Sequence, residues 1–386
     1  MAEPLRLALV SFYPADVTRI SGGIRAVAYL LVEGLRRYAE LDIHVIHCHS
    51  DVTRDRTTRA GNVTAHYLAL PRRRIVPNMV SGMGRVARLL REISPDVVNT
   101  HGYNYAVATL RAGYLPVWTI HGILAQEAQY NPGPFNKLAF ALGSRYERQA
   151  LAQVREITAI SPYIQKAFQH RTAARWHLTE NPAPDDLFAL ERRPVAGRLL
   201  LPASVIPRKD PLTLIRALAL ARQNLPHLHL QIAGRTNETA YVREVQATCQ
   251  ALGVADQVAF LGVQSQPEMR MRYSQAQLVV LSSREEVSPM AAIEGLAAGI
   301  PVVTTAAGGA GYIVDDGQTG RVVAVGDAPG LARAICQVLG DEEAYREMSR
   351  NARSTAERRF RPDRVAASYL AVYRLAAAEA RRGGGS

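Results

Sequence analysis

The stretch Leu278–Thr305, LVVLSSREEVSPMAAIEGLAAGIPVVTT, constrains the fold more than any other part of this chain. LVVLSS is a continuous apolar run ending in small polar residues, the pattern of a buried parallel strand at its carboxyl end. The loop REEV follows. Ser288 is the natural N-cap of a helix, with Pro289 at the first helical position, where its missing N–H costs nothing. That helix is expected to run to Gly299, a permissive stop, and IPVVTT to begin the next strand. Open α/β sheets bind ligands in loops of this kind, at strand carboxyl ends. Two carboxylates frame the loop, Glu286 before the helix and Glu294 inside it, with seven residues between them. The amino end of the helix offers free N–H groups to a phosphate.

The same alternation runs through the chain. LRLALVSF, DIHVIHCH, NVTAHYLAL, DVVNTH, LPVWTIH and EITAIS read as strands separated by helical patterns such as IRAVAYLLVEGL. NPAPDDLFALERRP, rich in proline and charge, reads as a linker. A second set follows: RLLLPAS, a helix from Pro211, LHLQIAG, a helix from Glu238, QVAFLG and the opening unit. Two α/β domains of similar size are expected, over residues 1–185 and 195–360. A last helix over 361–382 carries Val365, Ala366, Tyr369, Val372 and Tyr373 at helical spacing. The terminal GGGS, residues 383–386, reads as an appended tail.

The spacing Glu286-x7-Glu294, followed by AAGIPVV, resembles the Glu-x7-Glu pattern of retaining glycosyltransferases with two Rossmann-like domains facing each other across a cleft. This is the GT-B architecture, and the similarity is to family 4 in particular. The resemblance implies an acceptor domain first, a nucleotide-sugar donor domain second, and a final helix crossing back to the first. It covers nearly the whole chain and is densest from Leu199 to Ala324.

Further blocks extend it. LLLPASVIPRKDPLTLIRAL resembles the family's "GR…KG…LI-A" segment, with Lys209 on the lysine and Ser204 where the family has arginine; Arg208 is expected to supply that guanidinium. A cation beside a leaving diphosphate stabilises charge that grows as the glycosidic bond breaks. QVAFLGVQSQPEM resembles the block around the base, with Gly262 and Val263 near the ring. Val287, Ser288, Pro289 and Met290 fall at the diphosphate, Glu294 at the ribose and Glu286 at the sugar. TTAAGGAGYIVDDGQTG resembles "GG-x-x-E-I-V-x-D-G-x-x-G", with Tyr312 in place of the glutamate. Ser21-Gly22-Gly23 lies between the first strand and a helix; it serves as a plain tight turn or as a backbone approach to an anion, and the family uses such a loop against the donor diphosphate. His121, in TIHG, matches a position that touches the donor sugar. His101, in NTHG, and Glu127 are weaker candidates on the acceptor side, and a structural hydrogen bond accounts equally well for His101.

The expected reaction is therefore transfer of a sugar from a UDP- or GDP-sugar to a hydroxyl of a glycan, a lipid-linked or a small-molecule acceptor. The alternative on the same fold is a non-hydrolysing nucleotide-sugar 2-epimerase, which needs acid/base residues for C–H chemistry. No G-x-G-x-x-G follows the first strand, which argues against a dinucleotide oxidoreductase. No cofactor and no metal are expected, since no Asp-x-Asp occurs. His44, His47 and His49 lie on one strand, where only His47 and His49 share a face. The start MAEPLRLALVSF reads as a strand rather than a signal peptide, and three dispersed cysteines suit a reduced cytoplasm.

The net charge of +12 is concentrated locally. Between Arg54 and Arg91 nine arginines stand against one acid, Asp55. On the helix from about Val80 to Ile93, Arg85, Arg88 and Arg91 oppose an apolar stripe of Val86, Leu89, Leu90 and Ile93. With Arg72, Arg73 and Arg74 they suggest an anionic lipid surface or acidic acceptor, with the protein peripheral at the inner membrane face. Nucleic acid is not expected, because no aromatics interleave these charges.

Overall fold

The eleven apolar runs all become strands, among fourteen in two sheets, seen in a computed structural model that describes residues 3–17, 20, 22–70, 78–130, 133–237 and 239–383. The first unit contains β1 (Leu5–Val10), β2 (Leu41–His49), β3 (Arg56–Ala60), β4 (Val63–Ala69), β5 (Val97–Thr100), β6 (Pro116–Ile120), β7 (Glu156–Ala159) and β8 (Arg175–Leu178). Their order is β3-β4-β2-β1-β5-β6-β7-β8, parallel throughout except for the antiparallel pair β3–β4. The second unit contains β9 (Arg198–Leu201), β10 (His229–Ala233), β11 (Val258–Gly262), β12 (Leu278–Leu281), β13 (Val302–Thr305) and β14 (Gly320–Val323). Its order is β11-β10-β9-β12-β13-β14, all parallel. Chain order reverses between β1 and β5 in one sheet and between β9 and β12 in the other. Ligands of such sheets sit at the carboxyl ends of those strand pairs.

Burial explains the pattern. β12 is LVVL, every residue at most 2% exposed, with Leu278 beside Leu199 of β9 and Val279 beside Val302 of β13. A strand covered by helices on both faces needs an apolar residue at every position, not at alternate ones. β3 is the opposite case: RTTRA is exposed along its whole length at the sheet edge. Charged residues there keep an open edge from pairing with other chains. Neither β3 nor β8 is legible from apolar patterning, because both are polar edges.

The first unit comprises residues 1–182 and 362–386, the second 183–361. The helix Pro362–Gly383 therefore packs with the first unit, where Val365, Ala366, Tyr369, Val372 and Tyr373 are all at most 6% exposed. Gly34, in the helix Gly23–Leu35, allows the close approach: a Cβ there would lie 2.4 Å from the Pro362 carbonyl oxygen.

Several expectations are corrected. NPAPDDLFALERRP holds the boundary between the units, after Pro182, but most of it belongs to the second unit. It forms the short helix Asp185–Phe188, and Arg192 donates to the carbonyls of Gly299 at 2.5 Å and Ala276 at 2.5 Å within the second unit. Pro289, not Ser288, is the N-cap of the helix Met290–Ala297, and the Ser288 hydroxyl makes no hydrogen bond. Gly299 is the helix stop as expected, its φ of +69° carrying the chain into β13. The helix expected from Glu238 starts at Ala240, capped by the Thr239 side chain, while Glu238 lies outside the described residues. Arg85 lies on the polar side of its helix as expected, but an acid of this chain takes its charge. It pairs with Asp55 and donates to the Ala69 carbonyl. Arg88 is exposed, Arg91 donates to the Arg111 carbonyl at 2.9 Å, and Arg72, Arg73 and Arg74 lie outside the described residues. No described helix is long and apolar enough to cross a membrane.

Candidate active site

In the second unit, the loops after β9 and β12 are tied together at the point where strand order reverses. The Arg284 amide donates to the Arg208 carbonyl at 2.8 Å, and the Ser282 hydroxyl bonds the carbonyls of Lys209 at 3.1 Å and Asp210 at 2.8 Å. Asp210, held at φ 45°, caps the helix Pro211–Ala221 through Thr213 and accepts from Arg284 Nε at 2.9 Å. These ties fix the position of Lys209. Its ammonium meets the Glu286 carboxylate, which also accepts from Ser283 Oγ at 2.8 Å and lies 3.7 Å from Arg208 Nη1. Glu286 is 6% exposed, so its charge depends on these two cations for compensation. Arg208 also donates to the Glu285 carbonyl at 3.1 Å. Arg208, Lys209 and Glu286, read separately from sequence, are thus one cluster. Beside it the Met290–Ala297 helix begins, and Val287, Ser288, Pro289 and Met290 form its entry; the first amides of a helix have no intrahelical acceptor.

Glu294 lies one helical turn further in. Its Oε2 accepts from the Tyr273 hydroxyl at 2.6 Å. Burial pushes the carboxyl up to about 7, against the pull of the Tyr273 bond, and the charge of Asp186 adds to the rise. Tyr273, fully buried beside that acid, is pushed well above its ordinary range. Sequence reasoning missed Tyr273, which lies in the polar helix Gln266–Gln275 with no motif around it. Gly262 closes β11 at φ +66°, with open space where a Cβ would stand, so conformation alone calls for glycine. Val263 follows it, 67% exposed. Gly234 allows a tight crossing instead: a Cβ there would lie 2.2 Å from the Ala203 carbonyl oxygen. Tyr312 takes no acidic role; its ring stacks under the Arg359 guanidinium at 4.5 Å.

The first unit holds a cavity of about 400 Å³ at the carboxyl ends of β1, β2, β5 and β6, lined by Phe12, His49, His101, Tyr103, Trp118 and His121 among others. His101 and His121 come together there, His121 Nε2 lying 3.1 Å from His101 Nδ1. His101 Nε2 in turn meets Asn99 Oδ1 at 2.9 Å, and the Tyr373 hydroxyl donates to the same oxygen at 3.1 Å. Burial pushes His101 well below its ordinary value and His121 down to about 4, so both rings are neutral at pH 7. Glu127 lines the same cavity, its carboxylate folded against Gly122. Gly22, at φ +95°, caps the helix that Gly23 opens; Ser21 lies outside the described residues. Asn99 and Tyr373 carry no sequence signal for this site, being a strand residue and a core tyrosine 274 positions apart.

His47, His49 and Asp51 bring metal-type ligands together. Their hydrogen bonds already account for the cluster. The Tyr13 amide donates to His47 Nδ1 at 3.1 Å, which leaves Nε2 to donate to Asp51 at 3.0 Å. Asp51 also takes Arg25 and His49.

Comparison with known proteins agrees with this two-sheet fold. Residues 21–187 match the family model described as Glycosyltransferase Family 4, and residues 196–355 match Glycosyl transferases group 1. N-acetyl-alpha-D-glucosaminyl L-malate synthase of Bacillus anthracis is 32% identical over 122 residues, which is 32% of this chain and 32% of that protein. The match therefore spans about a third of that relative's length. Among solved structures, sucrose-phosphate synthase of Thermosynechococcus elongatus superposes with a TM-score of 0.77 at 20% identity, over 96% of this chain and 98% of that one. Anabaena HepE in complex with UDP and glucose gives 0.72 at 18% identity, over 95% and 99%. Both likenesses show the fold. With a glycosyltransferase model over each half and the GT-B architecture over the whole, the chain belongs to the family 4 glycosyltransferases.

Proposed function

We propose that the chain is a retaining transferase that moves a sugar from a UDP- or GDP-sugar to the hydroxyl of a glycan, lipid-linked or small-molecule acceptor. The observation that carries this reading is the Arg208–Lys209–Glu286 cluster at the β9/β12 reversal, beside the amino end of a helix. A carboxylate with two cations at a helix entrance suits a sugar joined to a diphosphate. When the donor binds, Lys209 and Arg208 turn from Glu286 to the diphosphate, and Glu286 accepts from the sugar hydroxyls. Glu294 accepts from the ribose, and the amides around Ser288 and Met290 meet phosphate oxygens. The base lies along Gly262–Val263, and the backbone at Gly22–Gly23 suits the approach of an anion.

In the retaining reaction the bond from the anomeric carbon to the diphosphate breaks, and the acceptor oxygen bonds to that carbon on the same face. The departing phosphate oxygen takes the acceptor's proton, so no protein base is required. Lys209 stabilises the charge that builds on the leaving group. HepE, solved with UDP and glucose, supports a nucleotide-sugar donor, and the name of the Bacillus anthracis relative, an N-acetyl-alpha-D-glucosaminyl L-malate synthase, supports a glycoside product. His121, with His101 and Glu127 beside it, meets substrate hydroxyls in the first unit. No metal takes part; lysine, arginine and helix amides hold the diphosphate. The exposed Arg54, Arg56, Arg59 and Arg88 add a weak attraction to anionic lipid, which vesicle flotation at low salt measures. A panel of nucleotide sugars, assayed for binding and turnover with chelator present, tests the reading. No binding by any UDP- or GDP-sugar overturns it.

A further inference from the structure

The hydrogen bonds beneath the first-unit cavity have a direction that can be followed from one end to the other. Asn99, on β5 and fully buried, sets it. Its Nδ2 lies 2.9 Å from the Val117 carbonyl oxygen and 2.9 Å from Thr119 Oγ1. A carbonyl only accepts, so Nδ2 is the donor end and Oδ1 the acceptor end. Oδ1 faces the Tyr373 hydroxyl at 3.1 Å and His101 Nε2 at 2.9 Å. A ring nitrogen against an amide oxygen must carry its proton, so His101 is protonated on Nε2. The neutral ring then has its lone pair on Nδ1. His121 Nε2, at 3.1 Å, must donate to that lone pair. This leaves Nδ1 as the unprotonated nitrogen of His121, on a ring that lines the cavity.

We propose that Tyr373, Asn99 and His101 are positioning residues that lock His121 in its Nε2–H tautomer, so that the cavity is offered a hydrogen-bond acceptor. The ligand group this suits is a neutral hydroxyl, as on a sugar or an acceptor alcohol. A carboxylate or phosphate oxygen would meet the lone pair with its own and is disfavoured. This assignment of the ligand rests on the glycosyl-transfer reading, whereas the tautomer itself does not. Burial, which holds both rings neutral, supports the arrangement. A negative charge at the source of this chain of hydrogen bonds is enough to reverse it. With aspartate at position 99, both side-chain oxygens accept and the carboxylate favours an imidazolium at His101. His101 Nδ1 then donates to His121 Nε2, and His121 must carry its proton on Nδ1, toward the cavity.

The experiment is long-range 1H–15N correlation on the free, uniformly 15N-labelled full chain at pH 7, with His121 assigned by loss of its signals in His121→Gln. The expected spectrum shows a protonated, pyrrole-type Nε2 and an unprotonated, pyridine-type Nδ1 for His121. Asn99→Asp is expected to exchange those two signatures, with folding checked by circular dichroism. A wild-type spectrum with the proton on Nδ1, with both nitrogens protonated, or with a fast-averaged mixture overturns the proposal whether or not the variant folds. A folded Asn99→Asp protein whose His121 signature is unchanged overturns it as well. Because no substrate is present, a failed glycosyl-transfer reading leaves this test intact.

Discussion

Glu294 gives the sharpest test, because its environment and its proposed partner favour opposite protonation states. Burial raises its pKa from an ordinary 4.5 to about 7 in the free protein. Ribose hydroxyls need a carboxylate to accept them, so donor binding should expel the proton below pH 7. Linkage then fixes the size of the effect: affinity for a nucleotide sugar should fall about tenfold from pH 8 to pH 6. A nucleotide sugar is the right probe, since its diphosphate diester does not titrate in this range. Isothermal titration calorimetry in two buffers of different ionisation enthalpy reads both the affinity and the released proton. Glu294→Gln should bind more weakly at pH 8 and lose the slope. Stability follows the opposite course. A raised acid contributes stability that is fully present below its unfolded value near 4.5 and is lost as pH rises through about 7. The full difference corresponds to at most about 3 kcal/mol, so the Gln variant should be the more stable protein at pH 8 by up to that amount. Affinity that is flat between pH 6 and pH 8, or a slope that survives in Glu294→Gln, refutes the ribose assignment.

Other outcomes follow from the same contacts. Lys209→Ala should lower turnover by ~10²–10³ while changing nucleoside affinity less, measured by steady-state kinetics beside calorimetry. Arg208→Ala should cost a comparable amount if that guanidinium takes the place of the arginine absent at Ser204; an unchanged rate removes that role and leaves Lys209 untouched. Gly34→Ala should cost about 1–3 kcal/mol in urea unfolding, because its Cβ would lie 2.4 Å from the Pro362 oxygen and 2.8 Å from Ala366 Cβ. Undiminished stability there contradicts the close packing of the last helix.

What the sequence reveals here depends on whether neighbours in space are neighbours in the chain. The β12–loop–helix–β13 unit is legible because a strand covered on both faces must be apolar at every position, and its loop carries its own carboxylates. Lys209 is legible through a local block of residues. The rest comes from long-range contact. Tyr273 reaches Glu294 from a helix with no apolar stripe, so the raised pKa of that acid has no trace in the Glu-x7-Glu spacing. Tyr373 reads as one of several apolar positions on the last helix, and only the fold brings its hydroxyl to Asn99. Arg85 sits on the polar side of its helix by periodicity, yet Asp55, thirty positions away, claims it. Tyr312 keeps its place in the motif but trades an acid's role for a stack under Arg359, a partner 47 residues on.

Glu286, Lys209 and Arg208 are proposed to bind a nucleotide sugar and release its sugar with retention, without metal. The direct measurement is anomeric 1H NMR of the full chain with UDP- and GDP-sugars in EDTA, with Glu286→Gln and Lys209→Ala alongside. One α-configured donor should be consumed, the glycoside formed should be α-configured, and both variants should be slow. A β-configured product, a nucleotide sugar inverted at C2 in place of any glycoside, or turnover only after added divalent metal contradicts the proposal.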